Sequence, residues 1–250
     1  MFFLLRQLRR LELRKRTGRY FLYAIGEIVL VVVGILIALA INNWNEERKQ
    51  EKQRRELIES LITDFTTNVE RLEESVSLVK RYHADIIEFL KVSAGEIEGL
   101  SAGETRALAS STQYQVIFQP AIGSYQMALS TGTIGLLEDE LLNELFLQWE
   151  QGYSHFQVAK TWGANWALGE SLPKLREKLG SVHTLFDLPA DKYYLPKIFE
   201  LSDEEFFRFI GQKEVYGIFE SRQWLLRNHE TAFTNLKEAA EKILARLKAL

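Results

Sequence analysis

Hydrophobic positions fall into three regimes along the chain. From Tyr20 to Ile41 they run almost unbroken, interrupted by a single charge at Glu27. From Ile58 to Leu90 they recur at alternating separations of four and three (Ile58, Ile62, Phe65, Val69, Leu72, Val76, Val79, His83, Ile86, Leu90). That spacing is the 3.5-residue seam of a supercoiled helix pair or bundle. Leu57, Leu61, Leu78, Ile87 and Phe89 widen the stripe toward a bundle face. Near the C-terminus a second seam runs Phe219, Arg222, Leu226, His229, Phe233, Leu236, Ala240, Ile243, Leu247. The pattern predicts one continuous helix from about Tyr20 to Val92 and a closing helix that packs antiparallel against its 58–90 part.

Between the two seams the punctuation predicts shorter elements. Ser93 to Gly103 is rich in glycine and reads as a loop, and Ser101-x-x-Glu104 is a capping box opening a helix to about Phe118. Pro120 and Gly123 mark a turn, a short helix follows to about Ser130, and Gly132 stops it. A long helix is expected from Glu138 to Ser171, where Pro173 forces a bend. Gly180 to Leu201 reads as irregular, and Ser202-x-x-Glu205 is a second capping box. With four prolines in 250 residues, the expected class is all-α: one transmembrane helix continuing into a long-helix extracytoplasmic bundle. The domain boundaries implied are a basic amphipathic cytoplasmic arm (1–19), a transmembrane helix (20–43), a charged helical stalk (44–56) and a helical bundle (57–250).

The apolar run has the length to cross a bilayer as a helix. Fourteen of its residues from Phe21 to Ile41 are Val, Ile, Leu or Phe, worth about 4 to 8 kcal/mol of insertion free energy against roughly 3 for a central Glu27. Tyr20, Phe21 and Tyr23 at one end and Trp44 at the other suit the two headgroup layers. Ala38-Leu39-Ala40 has the form of a signal-peptidase site, but the run exceeds a usual signal core, contains Glu27, and continues in helical character. Arg6, Arg9, Arg10, Arg14, Lys15, Arg16 and Arg19 precede the span against one acid, Glu12. The same bias predicts an N-terminus in the cytoplasm, a cytoplasmic (inner) membrane location and a periplasmic C-terminal domain. Those basic residues, interleaved with Phe2, Phe3, Leu4, Leu5, Leu8 and Leu11, also suit a helix lying on an anionic lipid surface, or act simply as a topology signal.

Composition narrows the chemistry. A net charge of -3 gives no reason to expect nucleic acid. The chain has no cysteine and no His-x-x-x-His pair, so neither a structural zinc site nor any cofactor is expected. No phosphate loop, nucleophile elbow or dinucleotide fingerprint occurs, and the expectation is a non-enzyme.

Three groups of residues stand out. Glu27, an ionisable group inside a span, calls for an inter-subunit contact, an interfacial snorkel or an ion path. Gly26, Gly34 and Ala38 lie on the same helix at separations of eight and four, a small-residue surface that lets two spans approach. Trp149, Tyr153, Trp162 and Trp166, with Phe156, form the densest aromatic stretch, suited either to the core or to a ligand pocket, with Gly152, Gly163 and Gly169 nearby for close packing or a kink. His83 and His229 occupy seam positions, where a polar group fixes register or senses pH.

The stretch from Tyr23-Ala24-Ile25-Gly26-Glu27 through Gly34-Ile35-Leu36-Ile37-Ala38-Leu39, followed by Ile41-Asn42-Asn43-Trp44-Asn45-Glu46, resembles the N-terminal signature of a family of uncharacterised single-span membrane proteins from Bacteroidota. Pro120, Gly123, Tyr125, Leu129, Ser130, Gly132, Leu136 and Leu137 are similar too. The resemblance implies a membrane-anchored helical protein and carries no catalytic residues. The expected function is a non-enzymatic interaction or scaffold protein, self-associating as a homo-oligomer through its span and meeting the lipid bilayer and an unidentified membrane or periplasmic protein. The alternatives are an extracytoplasmic ligand-sensing bundle and an oligomeric ion- or proton-conducting assembly using Glu27.

Overall fold

The computed structural model describes the backbone of residues 2–111, 115–186 and 196–250, with side chains from residue 25 onward except those of 167, 168, 170 and 199. The described residues are helical throughout their regular structure and contain no strand. The chain divides into two compact units, Met1–Leu57 and Ile58–Leu250. Helix α1, Phe2–Ser93, contributes to both.

In the first unit, the described part of α1 has no covered side. Its large apolar side chains from Ile25 to Ile41 range from 45% exposed at Ile25 to 75% at Leu30. Beyond Trp44, the Lys52–Glu56 and Arg55–Glu51 pairs sit four residues apart on an otherwise solvated helix.

The second unit is built on three long helical segments: the C-terminal part of α1, α4 (Glu140–Asn165) and α7 (Lys213–Leu247). Helix α7 runs antiparallel to α1, because Phe89 meets Phe219 (ring centroids 4.5 Å apart), His83 meets Glu230 (3.0 Å) and Glu73 meets Lys237 (3.8 Å). It also runs antiparallel to α4, through Phe156–Phe233 and Asp139–Arg246. Every residue of the C-terminal seam, Arg222 and His229 included, is buried.

The α1 seam follows the expected one at Ile58, Phe65, Leu72, Val79, Ile86 and Leu90, all buried, and departs from it between them: Leu61, Asn68 and Ser75 are buried, while the expected Ile62, Val69, Val76 and His83 are only half-buried. Two polar side chains therefore occupy the centre, and each is hydrogen-bonded as burial demands. Asn68 grips the backbone of Ala121, and Ser75 donates to the Arg71 carbonyl at 2.8 Å.

Helix α2 (Ala102–Ser111) opens on its capping box, with Ser101 N–H donating to Glu104 Oε2 and Glu104 N–H to Ser101 Oγ. It is described as far as Ser111, and residues 115–118 are not helical, short of the expected Phe118. Ser110 donates its hydroxyl to Arg106 O and Ser111 to Asp85. Pro120 then holds the residue before it out of the helical region. Residues 115–119 are extended instead, with Val116 and Phe118 buried and Ile117 and Gln119 exposed, a period of two. Asn68, Arg71 and Asp64 pin this strap to α1 through Ala121, Gln119 O and Ser124 N–H. Phe118 thereby reaches Trp149, Phe156 and Phe233 edge-on and links the three long helices.

Helix α3 (Gly123–Thr131) stops at Gly132, which takes the left-handed conformation (φ 74). Helix α4 begins two residues later than expected. Glu138 is itself left-handed (φ 48), and Asp139 is the N-cap, accepting from Leu142 N–H at 2.7 Å and from Arg246 Nε at 2.8 Å. Nor does α4 reach Ser171. It passes at Trp166 into a π-helical turn, Trp166–Ser171, from which α5 (Leu172–Leu179) continues. Helix α6 (Asp203–Ile210) opens on the Ser202/Glu205 capping box. Its Phe206, Phe209 and Ile210 join Phe89, Leu175, Leu185 and Phe219 in a core cluster at the α2, α5 and α6 end of the bundle.

Candidate functional site

Helix α4 approaches α7 along small residues. On α4, Gly152, Ala159 and Gly163 face α7 at separations of seven and four. A Cβ on Gly152 would lie 3.2 Å from Leu236 Cδ2, and one on Gly163 would lie 3.2 Å from His229 Cε1 and 3.4 Å from Gln115 Nε2. The His229 ring thus lies against bare backbone. It is 1% exposed, bonds to the Ala159 backbone, and leaves Nε2 without a hydrogen-bond partner among the described residues. Burial holds its pKa below the ordinary histidine value, and the Arg222 charge adds to that against the opposing Ala159 bond. His229 is therefore a neutral imidazole protonated at Nδ1, with a bare Nε2 acceptor.

Further along the same interface, Arg222 is buried with its guanidinium 5.3 Å from the centre of the Trp166 ring, a cation–π contact. Burial pulls its pKa down to about 10. The Trp166 indole in turn donates from Nε1 to Ser221 Oγ (3.0 Å) and Ile218 O (3.3 Å) on α7. Trp166 begins the π-turn. Pro173 offers no N–H to the Gly169 carbonyl four residues before it and its ring crowds that carbonyl, and a π-turn immediately upstream absorbs the misfit.

A cleft of about 690 Å³ lies between α5 and α7 beside the end of the π-turn, within the size range of small-molecule sites. Ser171, Lys174 and Glu177 line one side, and Gly217, Ile218 and Ser221 the other. Lys178 and Glu214, also in the lining, pair across it, and the Lys178 ammonium holds the Glu214 carboxyl below its usual range. A smaller cleft of about 280 Å³ lies between α1 and the extended strap, but the guanidinium that lines it, Arg71, is already engaged by Gln119 O. Among the described residues no group of three or more His, Cys, Asp or Glu is placed to hold a metal ion.

The four aromatic residues singled out from the sequence do not share one cavity. Trp149 is buried in the core against Phe65 and Phe118, and Tyr153 packs half-buried against Phe118. Trp162 lies 13 residues beyond Trp149, about 20 Å along a helix. It is 48% exposed and stacks on Trp224, itself 55% exposed, at 5.8 Å. Only Trp166 touches a residue of the larger cleft, through Ser221. In the apolar run Glu27, Gly26, Gly34 and Ala38 are all exposed. The side chains of Arg6, Arg9, Arg10, Arg14, Lys15, Arg16 and Arg19 lie outside the described residues. Missed in the sequence were Asn68, which reads as a solvated helix residue, and the strap, whose alternation from Val116 to Gln119 is a four-residue signal easily overrun by the neighbouring helical pattern.

The model of a family of unknown function, DUF6090, matches residues 27–154, just over half of the chain. The chain belongs to this family. Its matched stretch takes in most of the apolar run, the Asn68 seam, the strap and most of α4. The π-turn, the larger cleft and α7 follow it in the sequence. No curated protein and no solved structure matches the chain.

Proposed function

We propose that this family member is a single-pass membrane protein whose helical bundle acts outside the cytoplasm as a non-enzymatic interaction module, brought together in copies through its span. The observation that carries the reading is the bareness of α1 from Ile25 to Ile41. Large aliphatic side chains point in every direction, and each of those described is exposed. In water that surface is an aggregation liability; in a bilayer it is the solvent-matched surface of a spanning helix, with all backbone groups bonded within the helix. The basic residues before it and the resemblance to single-span Bacteroidota proteins support an N-terminus in the cytoplasm and a periplasmic bundle. Exposed Glu27, beside Gly26 and one face with Gly34 and Ala38, supports a second span as its neighbour, since a carboxyl facing lipid alone is costly.

The test has two parts. Membranes washed with alkaline carbonate retain the full-length chain, and a protease added to spheroplasts digests the bundle but spares the arm; release by carbonate, or protection of the bundle, sinks the topology. Light scattering of the detergent-extracted protein gives a multimer that Glu27→Gln weakens. A monomeric wild type removes the self-association.

A further inference from the structure

We propose that His229 and Gln115 form an acid-operated switch that moves the Gln115 end of the strap from α4 to α7. Both side chains lie over the bare backbone of Gly163. A Cβ at that position would be 3.4 Å from Gln115 Nε2 and 3.7 Å from His229 Nε2, so a glycine on α4 is what lets the strap amide and the α7 imidazole converge. Each is also tied to α4 through a main-chain carbonyl: Gln115 Nε2 donates to Lys160 O at 3.1 Å, and the His229 ring donates to Ala159 O. His229 Nε2 is the remaining ring nitrogen, and it has no hydrogen-bond partner among the described residues.

A proton on Nε2 turns that bare acceptor into a donor inside a site only 1% exposed. Among the described residues no free anion is placed to receive it. On α7 the charge acting on the ring is that of Arg222, a cation, and Glu230 is engaged by His83 of α1. The charged residue of α4 beside the contact is Lys160, and the strap contributes the neutral Gln115. The acceptor left to the imidazolium is therefore the Gln115 carboxamide oxygen, presented when the amide turns about its last torsion. That turn gives up the neutral bond to Lys160 O for a charge-assisted one. The far end of the strap stays on α1, where Asn68 holds Ala121 and Arg71 holds Gln119 O. Burial and the Arg222 charge keep the ring neutral until the medium is acidic. The strap thus takes two positions selected by proton concentration, which gives the bundle a means of reading the acidity of its compartment.

The full-length protein in detergent, with histidine and glutamine nitrogens isotopically labelled, is titrated by NMR from about pH 8 to about pH 4.5. The His229 ring is assigned by its loss in His229→Asn and the Gln115 amide by its loss in Gln115→Leu. The expected result is that the ring and the Gln115 carboxamide shift together with one midpoint, below the ordinary histidine value of about 6.5, while the exposed Gln126 carboxamide on α3 does not follow. Gln115→Leu removes the acceptor and lowers the proton affinity of His229 about tenfold. Gln115→Glu supplies a carboxylate and raises that affinity; it keeps the shape of the side chain, so a misfolded leucine variant does not end the test. A Gln115 signal that ignores the ring titration, an unchanged His229 midpoint in either folded variant, or loss of all signals before the ring titrates overturns the switch.

Discussion

Asn68 holds Ala121 by both edges of its peptide: Nδ2 donates to the Ala121 carbonyl at 2.9 Å, and Oδ1 accepts from its N–H at 2.7 Å. The amide is 0% exposed, at the centre of the α1 seam. A buried side chain that meets a backbone donor and acceptor together fixes both the position and the direction of the strap it holds. Asn68→Ala strands two backbone groups and leaves a cavity, and is expected to cost about 2 to 4 kcal/mol in urea unfolding. Asn68→Asp keeps the acceptor but sets a second carboxylate oxygen against the Ala121 carbonyl in a buried site, and should cost at least as much at neutral pH. An alanine variant within 0.5 kcal/mol of wild type would show that the clamp is not structural.

The α4–α7 approach makes a graded prediction. Alanine raises helix propensity over glycine by roughly 1 kcal/mol, but the added Cβ must find room. At Gly152 it meets the tip of Leu236, which can shift; at Gly163 it meets the His229 ring and Gln115 together. Gly152→Ala is expected to be close to neutral and Gly163→Ala destabilising by about 1 to 3 kcal/mol. Thermal unfolding of the pair side by side decides this; equal midpoints would mean that α4 and α7 can separate freely.

His229 makes stability depend on pH in a defined window. Its folded pKa lies below the unfolded value, so the unfolded chain takes up the proton first. Stability is full above the unfolded pKa of about 6.5 and falls as pH drops below it, by at most about 1.4 kcal/mol per pH unit. Denaturant midpoints between pH 8 and 5 should therefore decline for wild type and decline less for His229→Asn. Glu104, Glu205 and Glu214, whose pKa values are lowered by Ser101, Ser202 and Lys178, contribute only below that range, as carboxylates protonate. Parallel curves for the two proteins across pH 8 to 5 would acquit the imidazole.

Glu138 sits left-handed without being glycine. An L side chain there costs roughly 1 to 2 kcal/mol, partly offset in a variant by glycine's greater unfolded entropy. Glu138→Gly is expected to raise stability by about 0.5 to 1 kcal/mol. A loss would mean that the carboxylate serves a role beyond the turn.

The apolar run, the α1 periodicity, both capping boxes and every buried position of the α7 seam were legible from residue order, because each depends on neighbours within a few residues or on one side of a single helix. The strap at 115–119 and the π-turn at Trp166 were not. The strap is placed by partners remote in sequence, Asn68 and Arg71, and Trp166 is held by Ser221 of α7 while Pro173 supplies the misfit beside it. The same reason separates Trp149 from Trp162. Both read as aromatic residues on one helix, yet Phe65 and Phe118 make the first core, and Trp224 gives the second a surface partner. Residue order determined which sides of α1 and α7 were apolar; tertiary contact alone decided where polar groups such as Asn68 and His229 came to be buried, because burial of a polar atom depends on whether something distant bonds to it.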